Sequence, residues 1–222
     1  MYIDDFFNFF FKSFSQPLTY FLIFFIGASI GSFISASVFR HSENISVFEK
    51  SKCDRCKKDI TVLNLIPIFS FIYQKGKCEY CGYNIPIQYF IMEVLSGFFV
   101  FFVFLFYSFD KDFIKLVLLY LISVPVSIID IKHYVIKTTF VLAGFFLFSI
   151  YIVVFEFEFL SNYFIGCVIG FIIFFIIHLV YKNKLGFGDV RLVAMLGFFC
   201  GIEGVLWTIF FGSIFGILYA IF

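Results

Sequence analysis

Long apolar runs separated by short polar segments fill most of the chain. A helix that crosses a bilayer needs roughly 20 apolar residues, and runs of about 10–14 residues are usually too short. The pattern therefore predicts an all-α, polytopic membrane helix bundle of six to seven spans, the number depending on whether one short run crosses. The runs are Pro17–Phe39, Ile85–Phe109, Phe113–Ile129, Thr138–Phe155, Phe159–Tyr181, the short Val190–Cys200, and Val205–Phe222.

Composition supports this fold class. The 222 residues are 62% hydrophobic and 14% charged, and the mean hydropathy is +1.04. A soluble domain carries about 25% charged residues, so a water-soluble fold is excluded. Pairs of glycines four residues apart predict places where helices pack closely. These pairs are Gly27 with Gly31, Gly166 with Gly170, and Gly212 with Gly216.

Basic residues concentrate in three loops. Of the 16 Lys and Arg residues, most lie within residues 40–88, 130–137 and 182–191, whereas the alternate loops are acidic. Loops rich in Lys and Arg stay on the cytoplasmic side of a membrane. We therefore expect the N-terminus outside and the three basic loops in the cytoplasm. The net charge of +1 carries no information about an acidic partner, and we expect contact with membrane lipid and no nucleic-acid partner.

The segment between the first two spans, residues 40–88, carries two C-x-x-C pairs. The first is Cys53 and Cys56, and the second is Cys78 and Cys81. Each pair can aim two thiolates at one point, and two such turns complete a tetrahedral S₄ site that suits structural Zn²⁺. Four cysteines leave no open position for a catalytic metal. The alternatives are disulfides, which fit a cytoplasmic loop poorly, or four unrelated thiols.

Two aspartates stand at the ends of apolar runs, where ionisable groups are candidates for function. Asp130 ends the third run, and Asp189 follows the fifth run in a Gly186-Phe-Gly188-Asp189 motif. Both lie on the predicted cytoplasmic side, so they can share one site. Two adjacent carboxylates can hold one proton between them and perform general acid–base chemistry. The alternatives are that Asp130 pairs with nearby cations and that Asp189 caps the next helix.

Two other polar groups lie within the spans. Glu93 lies about one turn into the second span, and we expect it either to pair with Arg40 or to have a chemical role. His178, near the inner end of the fifth run, is expected to make a structural hydrogen bond.

The ordered set of motifs resembles the type IV prepilin peptidase family. Gly31-Ser-Phe, the two C-x-x-C pairs, Asn64-Leu-Ile-Pro, the segment that carries Glu93, and the two aspartate motifs follow one another along nearly the whole chain. The resemblance implies a GxGD-type intramembrane aspartyl protease of the bacterial inner membrane. In such an enzyme Asp130 and Asp189 are the catalytic pair, and Gly186 and Gly188 form the supporting active-site loop.

The resemblance also implies substrates and a second activity. Such enzymes cleave the leader from prepilin or pseudopilin precursors, and many N-methylate the new N-terminus with S-adenosylmethionine. The glutamate at Glu93 is then a candidate for methyl transfer. Ser35, Lys137 and Arg191 depart from the residues that are common in the family.

We divide the chain into residues 1–39 (N-terminal segment and first span), 40–88 (four-cysteine insert) and 89–222 (peptidase bundle). The last apolar run has no polar tail, and we expect the C-terminus to be truncated. Two alternative functions remain. One is a non-catalytic pilin assembly factor, and the other is an ion-coupled or proton-coupled transporter that uses the aspartates as a relay.

Overall fold

A computed structural model describes residues 16–42, 49–53, 55–181 and 185–221. The first fifteen residues of the N-terminal segment, and Lys182 and Lys184 of the third basic loop, lie outside the described residues. The helices are α1 (Gln16–Ser42), α2 (Phe69–Tyr73), α3 (Ile87–Tyr107), α4 (Lys111–His133), α5 (Thr138–Phe155), α6 (Leu160–Val180) and α7 (Phe187–Ile221). Short 3₁₀ turns cover Val62–Leu65 and Phe157–Phe159.

Six of the helices in the described part of the chain are long and apolar enough to cross a membrane. The predicted all-α membrane bundle is therefore confirmed. The short run Val190–Cys200 and the run after it follow each other within the range of α7. Their boundary is Gly201, whose φ of 70° and ψ of −168° interrupt the helix.

The chain divides by its internal contacts into two units, Met1–Val117 and Leu118–Phe222. In the first unit α1 packs along α3. The helices approach closely because a Cβ atom at Gly27 would lie 2.7 Å from the Ser96 carbonyl oxygen, and one at Gly31 would lie 2.5 Å from that of Met92. Close packing at this glycine pair is confirmed.

In the second unit α6 and α5 both pack on α7. Gly166 and Gly170 lie against the backbone of α7, which confirms the second glycine pair. The third pair was predicted wrongly, because Cβ atoms at Gly212 and Gly216 would meet no described atom within 4 Å. A ring stack of Phe148 on Phe199, with centroids 4.0 Å apart, fills the core between α5 and α7.

Candidate acidic site, cysteine cluster and cavity

Asp130 lies in the last turn of α4 and is partly buried. Its backbone carbonyl accepts a hydrogen bond from the N–H of Tyr134 at 2.7 Å, and Tyr134 has a φ of 54°. This left-handed residue ends the helix, and the chain turns through Ile136 and Lys137 into α5. The carboxylate is thereby placed where one apolar helix ends and the next begins.

Asp189 lies in the first turn of α7, directly after the two glycines. The turn closes with a hydrogen bond from the Asp189 N–H to the Gly186 carbonyl at 3.1 Å. A Cβ atom at Gly186 would lie 3.3 Å from Asp189 Oδ2, so the carboxylate folds back over this glycine. The absence of a side chain at Gly186 leaves room for the carboxylate.

The two aspartate segments meet within the second unit. A Cβ atom at Gly188 would lie 2.9 Å from the Cβ of Ile136, so only glycine allows this approach. Arg191 Nη1 donates a hydrogen bond to Thr138 Oγ1 and ties the same two segments together. The contact and the hydrogen bond together bring the segment that follows Asp130 against the segment that carries Asp189. Ile136 belongs to the Val135-Ile136 pair that follows Asp130 in the family resemblance, but its contact with Gly188, like the role of Thr138, carries no chemical signature in the sequence.

His178 fixes the loop that precedes Asp189. Its Nδ1 donates to the Leu185 carbonyl oxygen at 2.7 Å, and its ring lies edge-on to that of Phe187. The structural hydrogen bond predicted for His178 is therefore confirmed. The Arg191 guanidinium lies over the same ring, 5.3 Å from the centre of Phe187.

The four cysteines of the insert come together in the first unit. Their Sγ atoms all lie within 4.8 Å of one another, with Cys53 and Cys81 3.8 Å apart. The cysteines have no disulfide and are free thiols. The predicted four-thiol cluster is confirmed as a site that could hold a metal ion, and its S₄ donor set fits tetrahedral coordination.

Each C-x-x-C pair is held in the same backbone turn. In the first turn, the N–H of Cys53 donates to the Lys58 carbonyl and the N–H of Lys57 donates to that of Cys53. The second turn repeats both bonds 25 residues later, between Cys78 and Tyr83 and between Gly82 and Cys78. An isolated β-bridge flanks each turn, Lys52 with Asp59 and Lys77 with Asn84. The two turns also contact each other through a cation–π interaction, in which Lys58 Nζ lies 4.9 Å from the ring centre of Tyr80.

The thiol of Cys81 has a raised pKa. The backbone N–H of Tyr83 lowers the pKa of Cys81, but desolvation and the neighbouring thiols outweigh this effect and raise the pKa to about 11. Metal binding requires thiolates, so it releases protons from such a cluster.

A cavity of about 250 Å³ lies between the cysteine turns, α1 and α3. Its lining includes the carboxylates of Glu93 and Glu79, the rings of Tyr80 and Tyr89, and Arg40. Glu93 Oε2 accepts a hydrogen bond from the Ile68 N–H at 2.7 Å, and the Ser32 hydroxyl also donates to this carboxylate. Ile68 could not be recognised as the partner from the sequence, because nearly every residue type carries a backbone N–H.

These features define a class: a multi-pass membrane protein with an acidic pair in one unit and a four-cysteine insert in the other. Comparison with family models places residues 25–108 in the bacterial peptidase A24 N-terminal domain and residues 116–221 in the type IV leader peptidase family. The chain belongs to the type IV leader peptidase family. The resemblance inferred from its motifs is thus confirmed.

Several curated relatives are named prepilin leader peptidase/N-methyltransferase. The relative from Bacillus subtilis is 26% identical over 204 residues, covering 89% of this chain and 80% of the relative. The relative from Myxococcus xanthus is 25% identical over 206 residues, covering 90% of this chain and 62% of its own length. The relative from Neisseria gonorrhoeae is 29% identical over 178 residues, covering 77% and 62% of the two chains. No solved structure gives a significant match.

Proposed function

We propose that this member of the leader peptidase family cleaves the leader from type IV prepilin or pseudopilin precursors with Asp130 and Asp189 as the catalytic pair. The observation that carries the proposal is the meeting of the two aspartate segments at Gly188 and Ile136. The hydrogen bond from Arg191 to Thr138, which joins the same two segments, supports a shared site. The family membership and the names of the relatives support the substrate class.

The chemistry follows from two carboxyl groups that share one proton. The ionised carboxylate takes a proton from water while the water oxygen attacks the scissile carbonyl carbon. The protonated carboxyl group gives its proton to the carbonyl oxygen. The tetrahedral intermediate then collapses and the C–N bond breaks. The leaving amine takes the proton that the first carboxyl group had accepted from water, and a hydroxyl proton of the intermediate returns to the second carboxylate. Arg191 and His178 are positioning residues in this scheme, because they hold the loops and not the substrate.

Orientation follows from the distribution of charge. The end of α4 that carries Asp130 and the end of α7 that carries Asp189 adjoin basic loops, and such loops stay in the cytoplasm. We propose that the acidic site and the cysteine insert face the cytoplasm of a bacterial inner membrane, with the N-terminus outside. A substrate whose basic leader is cytoplasmic and whose apolar helix is in the bilayer would present its junction at this edge.

The test is cleavage of a candidate prepilin, co-expressed with the enzyme and followed by the size shift on a gel. Asp130→Asn and Asp189→Asn each keep the side-chain shape but remove the acid, so each variant is expected to lose about a hundredfold or more in rate. Asp110→Asn, at an exposed turn between α3 and α4, is the matched control and should cleave normally. Processing at the normal rate by either active-site variant would place the chemistry elsewhere.

We propose a second activity, N-methylation of the new N-terminus, in the cavity of the first unit. Bound S-adenosylmethionine would supply the methyl group, and the residues present fit it. Tyr80 and Tyr89 offer rings for an adenine. Glu79 Oε2 accepts a hydrogen bond from Asn64 Nδ2 at 2.6 Å, and its other carboxylate oxygen is offered to ribose hydroxyls or the sulfonium. Glu93, the candidate from the sequence, is engaged by Ser32 and Ile68, so its role is to hold the cavity wall in place.

The second activity is tested apart from the first by supplying a synthetic peptide that already has the mature N-terminus. We expect the wild-type protein and Asp189→Asn to methylate it, and Tyr89→Ala to lose about tenfold, since stacking on one ring is worth roughly 1–3 kcal/mol. The cleavage assay should be unaffected in Tyr89→Ala. A wild-type protein that cleaves prepilin but never methylates the peptide would refute the second activity and leave the first standing.

We further propose that the four cysteines hold structural Zn²⁺. The support is the S₄ donor set, in which the Sγ atoms lie within 4.8 Å of one another on two matching turns. Four thiolate ligands suit zinc and leave no open coordination position.

A further inference from the structure

The insert carries an apolar surface next to the membrane helices. It is formed by residues 62–73, which comprise the 3₁₀ turn Val62–Leu65, the residues around Pro67, and α2. Several of its side chains are strongly exposed, including Val62 (82%), Leu63 (75%), Ile72 (61%) and Tyr73 (86%). Contiguous apolar surface of this kind marks an interaction site, because water would not stably cover it.

One ring of this segment reaches the middle of a spanning helix. The Phe69 ring lies 6.0 Å from that of Phe25 in α1, centre to centre. Phe25 precedes Arg40, the end of this span, by about four turns of helix, or about 22 Å at 1.5 Å per residue. The hydrocarbon core of a bilayer is about 30 Å thick. Phe69 therefore lies at a depth that belongs to the bilayer and not to water.

The backbone at the inner end of the segment is adapted to that depth. Non-helical backbone inside a membrane needs a partner for each polar group, since no water is available. Pro67 has no N–H, and the N–H of the next residue, Ile68, is accepted by the buried carboxylate of Glu93. Ile68 has a φ of 65° and a ψ of −55°, the conformation of a γ-turn, which the Phe69 N–H closes on the Pro67 carbonyl at 2.6 Å. A positive φ is costly for a β-branched residue. Glu93 thus supplies an acceptor where the chain reverses, and it holds a strained turn in place.

The two faces of α2 differ. Ser70, Phe71 and Gln74 line the cavity, and the Phe71 ring stacks on that of Phe90 in α3 at 5.0 Å. Ile72 and Tyr73 lie on the opposite, exposed side. The segment is therefore a wall with the cavity on its inner side and an uncovered apolar face on its outer side.

We propose that residues 62–73 form a re-entrant segment whose outer face contacts lipid acyl chains, with Glu93 as the positioning residue that anchors it. Lipid is the occupant because the outer face continues the exposed apolar surface of α1, where Phe21 and Phe25 stack next to Phe69. Lys75 and Lys77 follow directly and mark the return of the chain to the headgroup region, where basic residues are favoured. The segment separates the cavity from the bilayer.

The test uses tryptophan fluorescence of the full-length chain, with Trp207→Phe as the background, in vesicles of lipids brominated on their acyl chains. Ile72→Trp reports on the outer face, and Tyr80→Trp, in the second cysteine turn, is the matched control. For each probe the quenching by brominated lipid is divided by the quenching by aqueous acrylamide. We expect a ratio several-fold higher for Ile72→Trp than for Tyr80→Trp. An equal or lower ratio overturns the proposal, whether water or protein covers the outer face.

The anchor is tested in the same background. Glu93→Gln keeps an oxygen that can accept the Ile68 N–H, whereas Glu93→Ala does not. We expect the high ratio of Ile72→Trp to persist with Glu93→Gln and to fall towards that of the control with Glu93→Ala. A ratio that stays high with Glu93→Ala would show that Glu93 is not the anchor. If Glu93→Ala unfolds, it will lose the near-ultraviolet circular dichroism that Glu93→Gln retains. An equal loss of this signal in both variants would also contradict the role of Glu93 as the anchor.

Discussion

The backbone of Lys57 adopts a conformation that glycine adopts at the matching place in the second cysteine turn. Lys57 has a φ of 57°, and Gly82, 25 residues later, has a φ of 67°. Glycine pays no steric penalty in this left-handed region, whereas a side chain does. The sequence shows two C-x-x-C pairs, but it does not show that Lys57 bears this strain, because lysine is common in loops of every conformation.

We expect Lys57→Gly to stabilise the protein by about 1 kcal/mol, because the substitution removes the left-handed penalty. For a chain of this size that corresponds to a rise of about 2–4 °C in the unfolding temperature, measured in detergent with zinc present. The matched control is Gly82→Ala, where a Cβ atom would meet no described atom within 4 Å. Gly82→Ala should destabilise the protein by a similar amount. An unchanged unfolding temperature in both variants would show that the left-handed conformation carries no penalty at these positions.

The elements that carry the aspartates approach each other through glycine. Gly188 at the start of α7 contacts Ile136 in the loop between α4 and α5. The glycines of the Gly-x-Gly-Asp motif were visible in the sequence as supporting residues. Their contact partner was not, because Ile136 is one of many apolar residues and only the packing of α5 against α7 selects it.

Gly188→Ala is expected to slow leader cleavage by about 10- to 100-fold, because the new methyl group would lie 2.9 Å from the Ile136 Cβ and displace the Asp189 turn. The measurement is the initial rate on a co-purified prepilin, with membrane insertion checked in parallel. Gly212→Ala, in the same helix but with no described atom near its Cβ position, should cleave at the normal rate. Equal rates for Gly188→Ala and the wild type would show that the loop tolerates displacement.

At the scale of the whole molecule, the two proposed chemistries lie in different units. The aspartates belong to Leu118–Phe222, and the cysteine cluster and the cavity belong to Met1–Val117. The metal would supply much of the folding free energy of the small insert, because so short a segment buries little core of its own. Loss of the metal should therefore lower the stability of the first unit much more than that of the second.

We expect the purified protein to contain about one zinc per chain and Cys53→Ser to lose most of it. Stripping the metal with a chelator should lower the unfolding temperature and abolish methylation of the mature peptide. The bond that is cut in prepilin should not change, as judged by mass spectrometry of the product. A stripped protein that stays folded and methylates fully would refute a structural metal.

The sequence alone determined the class of membrane helix bundle, the cysteine cluster and the family. Apolar runs and C-x-x-C spacing are short-range patterns, so they can be read without knowing which helices pack together. The tertiary structure alone decided that Ile68 donates to Glu93, that Arg191 binds Thr138, and that Gly188 lies on Ile136. It also decided that Gly212 and Gly216 pack on nothing described within 4 Å. These are contacts between residues far apart in the chain, and they depend on how backbones approach in space, which no local pattern encodes.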